Sequence, residues 1–501
     1  MKIGIDIGTS RTKAVLYDDD LEAVDVRSRP TEMVQPAPGR YEHNLSSIVD
    51  SVIDLLTELA GDGVDVVAIT GQGDGLWLLD ADGRPAGPAI SWMDDRGAAE
   101  CERWVESGAT EAIFRRTGNA PFPGAGSALL AAEHRSEPGR LDAAATATQC
   151  QHAVFQALTG VRVSTRSAAM LGVFDPIAGD YDADLLRLTG LEALAGLLPA
   201  ITDGSVAEAP LRPESAVRTG LAPDTRVTSG PYDLPAAALG AGVTKPGDGL
   251  LILGTTLACL VHCENVEPEG EPAGLTLRTA DDRGYLRAMP AMVGTAGLDW
   301  VLRLVGATHD QLESLLRESP PGAGGVRALP YLSLSGERAP FVDPRAHGQF
   351  SGLSLSTTPA DLVRAYCEAL GYAARHCFEA AGLSGTVAIC GGGAASGVLT
   401  ALFATMLKRP VFVASEPECT ARGAVLAALP ASSRPMTPAG RLIEPSSQHF
   451  SHYQHGYGVY LDTVAGARAS GWGNGRRKDT TTDPDAALPT QPHGLRALVK
   501  E

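Results

Sequence analysis

The chain has 501 residues, enough for two or three domains, and 44% of them are apolar, so sizeable cores can form. Its formal net charge of −18 argues against a nucleic acid or an anionic membrane surface as partner, because both demand basic patches. The eight cysteines include no Cys-x-x-Cys pair and no zinc-spaced cluster with histidine, and no apolar run reaches membrane-spanning length. A cytoplasmic protein with reduced thiols is expected, its first strand beginning without a leader segment.

Ile3, Ile5 and Ile7 alternate with Gly4 and Asp6, which predicts a strand. Gly8 permits a tight turn, and Ala14–Tyr17 resumes an apolar strand, so the segment reads as a hairpin. Thr9, Ser10, Thr12 and Lys13 lie at or beside its tip. Turning backbone amides there form a concavity that suits a polyphosphate, and Asp6 at the mouth can hold Mg²⁺ directly or through water. An ordinary hairpin with a polar turn is the competing reading.

Apolar residues at helical spacing predict a helix over Leu45–Leu59 and short strands over Asp65–Thr70 and Leu76–Leu79. Between those strands, Gly71-Gln72-Gly73-Asp74-Gly75 offers acceptors and an amide donor suited to a polyhydroxylated ligand. Ser91-Trp92-Met93-Asp94-Asp95-Arg96 adds an aromatic face, carboxylates and a guanidinium. It leads into a helix over Arg96–Val105. Asn119–Gly126 reads as a loop. Asp233 precedes a small, apolar helix, where it serves either as a cap or as a general base that takes a proton from a substrate hydroxyl.

A second strand, Gly-Thr turn, strand unit begins at Gly249, with Gly254, Thr255 and Thr256 at its turn, which suggests duplicated halves facing one cleft. A long helix is predicted over Pro359–Glu379, a strand over Thr386–Ile389, a helix over Val398–Leu407, a strand over Val411–Val413 and a helix over Ala421–Leu429. Gly391, Gly392 and Gly393 lie between strand and helix, where bare backbone lets a flat base or ribose approach; close helix–strand packing is the alternative. Ser396 either caps the next helix or bonds a ligand. The Glu337-Arg338 pair reads as structural rather than catalytic. From about Gly466 onward the composition reads as a flexible tail.

These pieces, in this order over about residues 1 to 430, resemble the FGGY carbohydrate kinases of the actin-like ATPase superfamily. The resemblance implies an α/β fold of two actin-like (ribonuclease H-like) ATPase domains flanking an interdomain active-site cleft. Residues 1–245 would form the first domain, 246–465 the second, and 466–501 the tail. It implies ATP and Mg²⁺, with Asp6 helping to place the metal. Gly8, Thr9, Ser10, Lys13, Gly254, Thr255 and Thr256 would hold phosphates, and Gly391–Gly393 with Ser396 would hold the adenosine. Gly297 would approach the phosphates within an interdomain segment at Gly294–Trp300. Glu418–Ala424 resembles the closing Glu-x-x-x-x-Gly-Ala segment, and Asp233 takes the place of the catalytic base.

Gln72, Asp74, Trp92, Asp94 and Arg96, with Asp233, would orient the acceptor. Gly71–Trp77, Trp92–Arg96 and Tyr331–Leu353 look most like erythritol kinases. The usual xylulose kinases carry Met-His-Gly where this chain has Gly73-Asp74-Gly75; L-xylulose, D-xylulose and other pentuloses or pentitols stay open. Glycerol is disfavoured, since the Arg-Glu pair of glycerol kinases is absent. An actin-like ATPase without sugar kinase activity, and a sugar-responsive binding protein without catalysis, are the readings from other classes. A homodimer is the base-rate expectation.

Overall fold

The computed structural model describes residues 1–61, 63–434 and 438–472. Two mixed sheets organise them. The first contains β1 (Lys2–Ile7), β2 (Arg11–Tyr17), β3 (Ala23–Pro30), β4 (Val66–Gly71), β5 (Ala207–Pro210) and β6 (Arg226–Tyr232), in the spatial order β5-β6-β4-β1-β2-β3. The second contains β7 (Gly249–Leu253), β8 (Leu257–Cys263), β9 (Leu275–Arg278), β10 (Tyr285–Ala291), β11 (Val387–Cys390), β12 (Val411–Ala414) and β13 (Gly440–Ile443), in the order β9-β10-β8-β7-β11-β12-β13.

The halves share a topology. β1 pairs antiparallel with β2 and parallel with β4, which pairs parallel with β6. In the same way β7 pairs antiparallel with β8 and parallel with β11, which pairs parallel with β12. The short likeness between the two Gly-Thr turns therefore extends to four strands of each half. In sheets with parallel strands, ligands gather beyond the carboxyl ends. Asp6, Gln72 and Asp233 stand at or just past those ends in β1, β4 and β6. Gly254 and Gly391 do so after β7 and β11.

The central strands are buried on both faces, and β1 is buried except at Asp6. The helix Leu45–Leu59 keeps its predicted bounds, with the Asn44 side chain accepting from the Ser47 amide at 3.3 Å and seven residues of one stripe buried. Each Leu or Ile buried there contributes about 1.5–3 kcal/mol of transfer free energy.

Two helices cross where the halves meet. Asp233–Gly240 follows β6 and Cys419–Ala428 follows β12. A Cβ on Gly240 would lie 1.8 Å from the Cys419 carbonyl oxygen, and one on Gly423 would lie 1.8 Å from that of Ala236. The backbones meet through glycine because no side chain fits between them. The second helix also covers the first sheet, where Ala421, Ala424 and Val425 share a core with Val15, Tyr17, Val66 and Ala68. A Cβ on Gly4 of β1 would come within 2.5 Å of the Ala421 carbonyl oxygen.

The helix Phe450–Ala469 runs past Gly466, where composition predicts a tail, and Trp472 is buried, its indole N–H donating to Asp343 Oδ2 at 2.9 Å. The remainder of the expected tail lies outside the described residues. No helix among those described is long and apolar enough to cross a membrane.

Candidate active site

The first hairpin forms as expected. The Gly8 amide donates to the Arg11 carbonyl at 3.0 Å, and Asp6 stands directly opposite Lys13 in the β1–β2 register. Ser10 is exposed at the tip. Thr9 reaches sideways: its hydroxyl donates to Gln72 Oε1 at 3.1 Å and accepts from the Trp92 indole N–H at 2.9 Å. One hydroxyl thus couples the first hairpin to two residues expected at the acceptor. Lys13 reaches the other half of the chain, with its ammonium 2.7 and 2.9 Å from the two carboxylate oxygens of Glu418.

Asp233 is the first residue of its helix, and its Oδ1 accepts from the Leu234 amide at 2.8 Å. Burial pushes its pKa up to about 6, against backbone N–H groups of Leu234, Asp233 and Gly73 that favour the charged form. Asp6 is pushed up to about 7, first by burial and then by the charge of Asp233, while Lys13 opposes the shift. Two mutually repelling carboxylates are hard oxygen donors that suit Mg²⁺. Among the described residues no group of three or more His, Cys, Asp or Glu side chains could enclose a metal ion.

Asp74 is left-handed at φ +60°, between Gly73 and Gly75. A Cβ on Gly75 would approach the Ile90 carbonyl oxygen to 2.6 Å, so this turn needs its glycine. Asp74 is buried, and burial raises its pKa to about 7; Arg338 and the Gly126 amide oppose that rise, and Asp233 adds to it. Asp74 Oδ1 and Gln72 Nε2 are both buried with no hydrogen-bond partner among the described residues. Buried orphans of this kind are uncommon and mark a place where a ligand can bond.

Asp94 and Arg96 are placed differently from the substrate-facing position expected of them. Asp94 accepts from the Tyr41 amide at 2.7 Å and from Arg96 Nε at 3.0 Å. Arg96 also pairs with Glu42 at 2.6 Å and faces Glu133 at 3.5 Å. Together they form a buried ionic cluster that braces the segment carrying Trp92.

In the second half, Thr255 is exposed at its turn and Thr256 is half-buried, with the Gly254 amide donating to the Thr256 carbonyl at 3.1 Å. Thr295 bonds the Gly254 carbonyl through both its amide, at 2.8 Å, and its hydroxyl, at 2.9 Å, so the helix Thr295–Leu304 starts against this hairpin. Gly297 is occupied by packing: a Cβ there would lie 1.7 Å from the Tyr366 hydroxyl. Ser396 accepts from the Leu399 amide at 3.3 Å and caps the helix Gly397–Leu407.

The three consecutive glycines differ. Gly391 has φ +89°, and a Cβ on it would meet the Leu253 carbonyl oxygen at 2.7 Å; one on Gly393 would meet the Leu253 side chain at 2.5 Å. A Cβ on Gly392 would meet nothing within 4 Å. Packing accounts for the outer two and leaves the middle one open to a ligand.

Arg338 is the residue whose position the sequence conceals. Its neighbour Glu337 accepts from the backbone amides of Met292, Arg338 and Ala339 at 3.0, 2.8 and 3.3 Å, so no hydrogen bond or ion pair joins the adjacent side chains, although their charges favour one another. Arg338 instead extends over the rings of Trp92 and Phe122, 5.3 and 5.1 Å from their centroids.

The model of the N-terminal domain of the FGGY family of carbohydrate kinases matches residues 1–240, and that of its C-terminal domain matches residues 249–432. The chain belongs to the FGGY family. It is 32% identical to an erythritol kinase from Brucella abortus over 85% of this chain and 86% of that protein. It is 32% identical to a xylulose kinase from Klebsiella pneumoniae over 74% of this chain and 77% of that protein. The crystal structure of a xylulose kinase from Rhodospirillum rubrum superposes with a TM-score of 0.84 at 30% identity, covering 94% of this chain and 99% of that one. As an FGGY member the chain is a carbohydrate kinase, a phosphotransferase with an alcohol group as acceptor, and its paired sheets are the actin-like fold of that family.

Proposed function

We propose that the protein transfers the γ-phosphate of ATP to a terminal hydroxyl of a small, uncharged polyol or ketose, with erythritol the first candidate. The observation that carries this reading is the gathering of Asp233, the unpartnered Asp74 Oδ1 and the unpartnered Gln72 Nε2 beside the hairpin of Asp6 and Lys13. Asp6, Asp74 and Asp233 outnumber the cation Arg338 on this side, because Lys13 is engaged by Glu418. That balance disfavours an anionic acceptor such as an aldonate, which would bring further negative charge into a poorly hydrated site.

In this reading Asp233 accepts the proton of the attacking hydroxyl as its oxygen bonds the γ-phosphorus and the bond to the β–γ bridging oxygen breaks, releasing ADP. Lys13, Thr255 and the amides of both turns hold the phosphates, and Gly392 faces the adenosine. Mg²⁺, near Asp6, would supply neutralising charge to the phosphate oxygens. Gln72, Asp74 and Trp92 orient the acceptor. The reaction belongs to the cytoplasm, where ATP and reduced thiols coexist.

Erythritol leads because of the similarity to the Brucella abortus enzyme and the Asp74 turn; L-xylulose, D-xylulose or another pentulose or pentitol follows from the xylulose kinase relatives. ADP release measured with erythritol, L- and D-xylulose, ribulose, xylitol and gluconate tests the reading. Turnover should require a neutral acceptor, with the highest kcat/KM on erythritol. ATP hydrolysis indifferent to every acceptor would instead favour an actin-like ATPase.

A further inference from the structure

Three groups with unmet bonding capacity converge around Trp92. Asp74 Oδ1 can only accept when ionised, and Gln72 Nε2 can only donate. The third is the guanidinium of Arg338, whose Nε donates to the Pro290 carbonyl at 2.9 Å while its terminal N–H₂ groups have no hydrogen-bond acceptor among the described residues. The rings of Trp92 and Phe122 fix the plane of that guanidinium, and Trp92 is itself held by its bond to Thr9. Asp74 and Arg338 act on one another electrostatically, yet no direct hydrogen bond or ion pair joins them.

We propose that Arg338, supplied by the second half of the chain, is an acceptor-binding residue that grips a substrate hydroxyl together with Asp74. A hydroxyl is the group that fits between them. Its oxygen accepts from a donor-only guanidinium, and its proton goes to an acceptor-only carboxylate. An apolar substituent in the same place would leave the buried Asp74 Oδ1 without a donor and shield the half-buried Arg338 from water, so the pair selects for a hydroxyl over its deoxy analogue. Because Arg338 and Asp74 come from different halves, the bound acceptor also ties the halves together.

The inference rests on the kinase reading above, and the test keeps the two apart. In Arg338→Met the unbranched stem still lies against both rings. With ATP saturating, its acceptor KM should rise by about 10- to 100-fold, the loss expected for a hydrogen bond to a charged group. Its Kd for ATP measured without acceptor should stay within about twofold of the parent. Asp74 is faced by Arg338, by Asp233 and by the neutral Tyr232. Removing the one cation therefore makes Asp74 harder to ionise, and the loss of kcat/KM should be greater near about pH 6.5 than near about pH 8.5.

Arg338→Lys keeps the charge but not the fork. It should restore the pH dependence while leaving KM raised, and it carries the test if the methionine variant does not fold. Parental acceptor KM in the folded variants overturns the proposal and leaves the kinase reading standing. Equal losses of ATP and acceptor affinity also overturn it, since they mark a loosened contact between the halves. No acceptor-dependent turnover in the unmodified enzyme overturns both.

Discussion

Lys13 of the first hairpin and Glu418 at the head of the second crossing helix form an ion pair, with Nζ 2.7 Å from one carboxylate oxygen and 2.9 Å from the other. The pair joins the two halves of the chain. Lys13 can be fully available to a phosphate only by loosening its hold on Glu418. Both side chains are partly accessible, at 34% and 17%, so the pair contributes about 0.2–1 kcal/mol. Glu418→Gln should therefore tighten ATP binding by about 1.5- to 5-fold, read as Kd by calorimetry, with the difference shrinking in high salt. Weaker binding in that variant would mean Glu418 assists the nucleotide directly.

Asp233→Asn should lose about 10²- to 10⁴-fold in kcat while ATP still binds. The same change should stabilise the protein. A carboxyl whose folded pKa is raised from 3.8 to about 6 imposes no penalty below pH 3.8. It costs progressively more stability as pH rises to about 6, and the full amount above that. Asparagine removes the penalty, so denaturant unfolding at neutral pH should show a gain of about 1–3 kcal/mol, absent at acid pH. Near-normal turnover with acceptor saturating would remove Asp233 from the role of base.

The pH profile of the parent enzyme follows from the same group. Asp233 must be ionised to accept a proton, so kcat/KM should fall at least about tenfold per unit below its pKa of about 6. Asp6, raised to about 7, should bind Mg²⁺ more weakly as pH falls through that value. Raising Mg²⁺ should accordingly recover part of the loss at about pH 6.5. An acid limb insensitive to Mg²⁺ would exclude Asp6 from the metal site.

Two glycine substitutions separate packing from binding. Gly423→Ala places a Cβ against the Ala236 backbone and should destabilise by about 3 kcal/mol or more, measured by denaturation. In Gly392→Ala the added Cβ has no protein atom within 4 Å, so stability should hold while ATP affinity drops about tenfold or more. Unchanged ATP affinity in the latter would move the adenosine elsewhere.

Arg96→Met leaves Asp94, Glu42 and Glu133 without a shared cation. It should cost about 3–5 kcal/mol of stability, the range for breaking a buried pair, with little change in acceptor KM of the folded enzyme. A large KM effect at unchanged stability would restore Arg96 to the acceptor site.

Local backbone chemistry is written in consecutive residues, and those features stood in the sequence alone. The hairpin of Asp6 to Lys13, its echo at Gly254–Thr256, the helix Leu45–Leu59 and the glycine run Gly391–Gly393 each depend on short-range periodicity or on missing side chains. With the other motifs, their order along the chain resembles the FGGY kinases, and that resemblance implied the fold and the kinase chemistry. Where a side chain points across the molecule is set by packing between segments far apart in sequence, and only the tertiary structure decided that. It parted Arg338 from Glu337, bound Asp94 to Arg96, filled the space at Gly297 with Tyr366 and brought Lys13 to Glu418. Burial likewise raised the pKa of Asp6, Asp74 and Asp233, because desolvation depends on everything that surrounds a carboxylate and not on its neighbours in the chain.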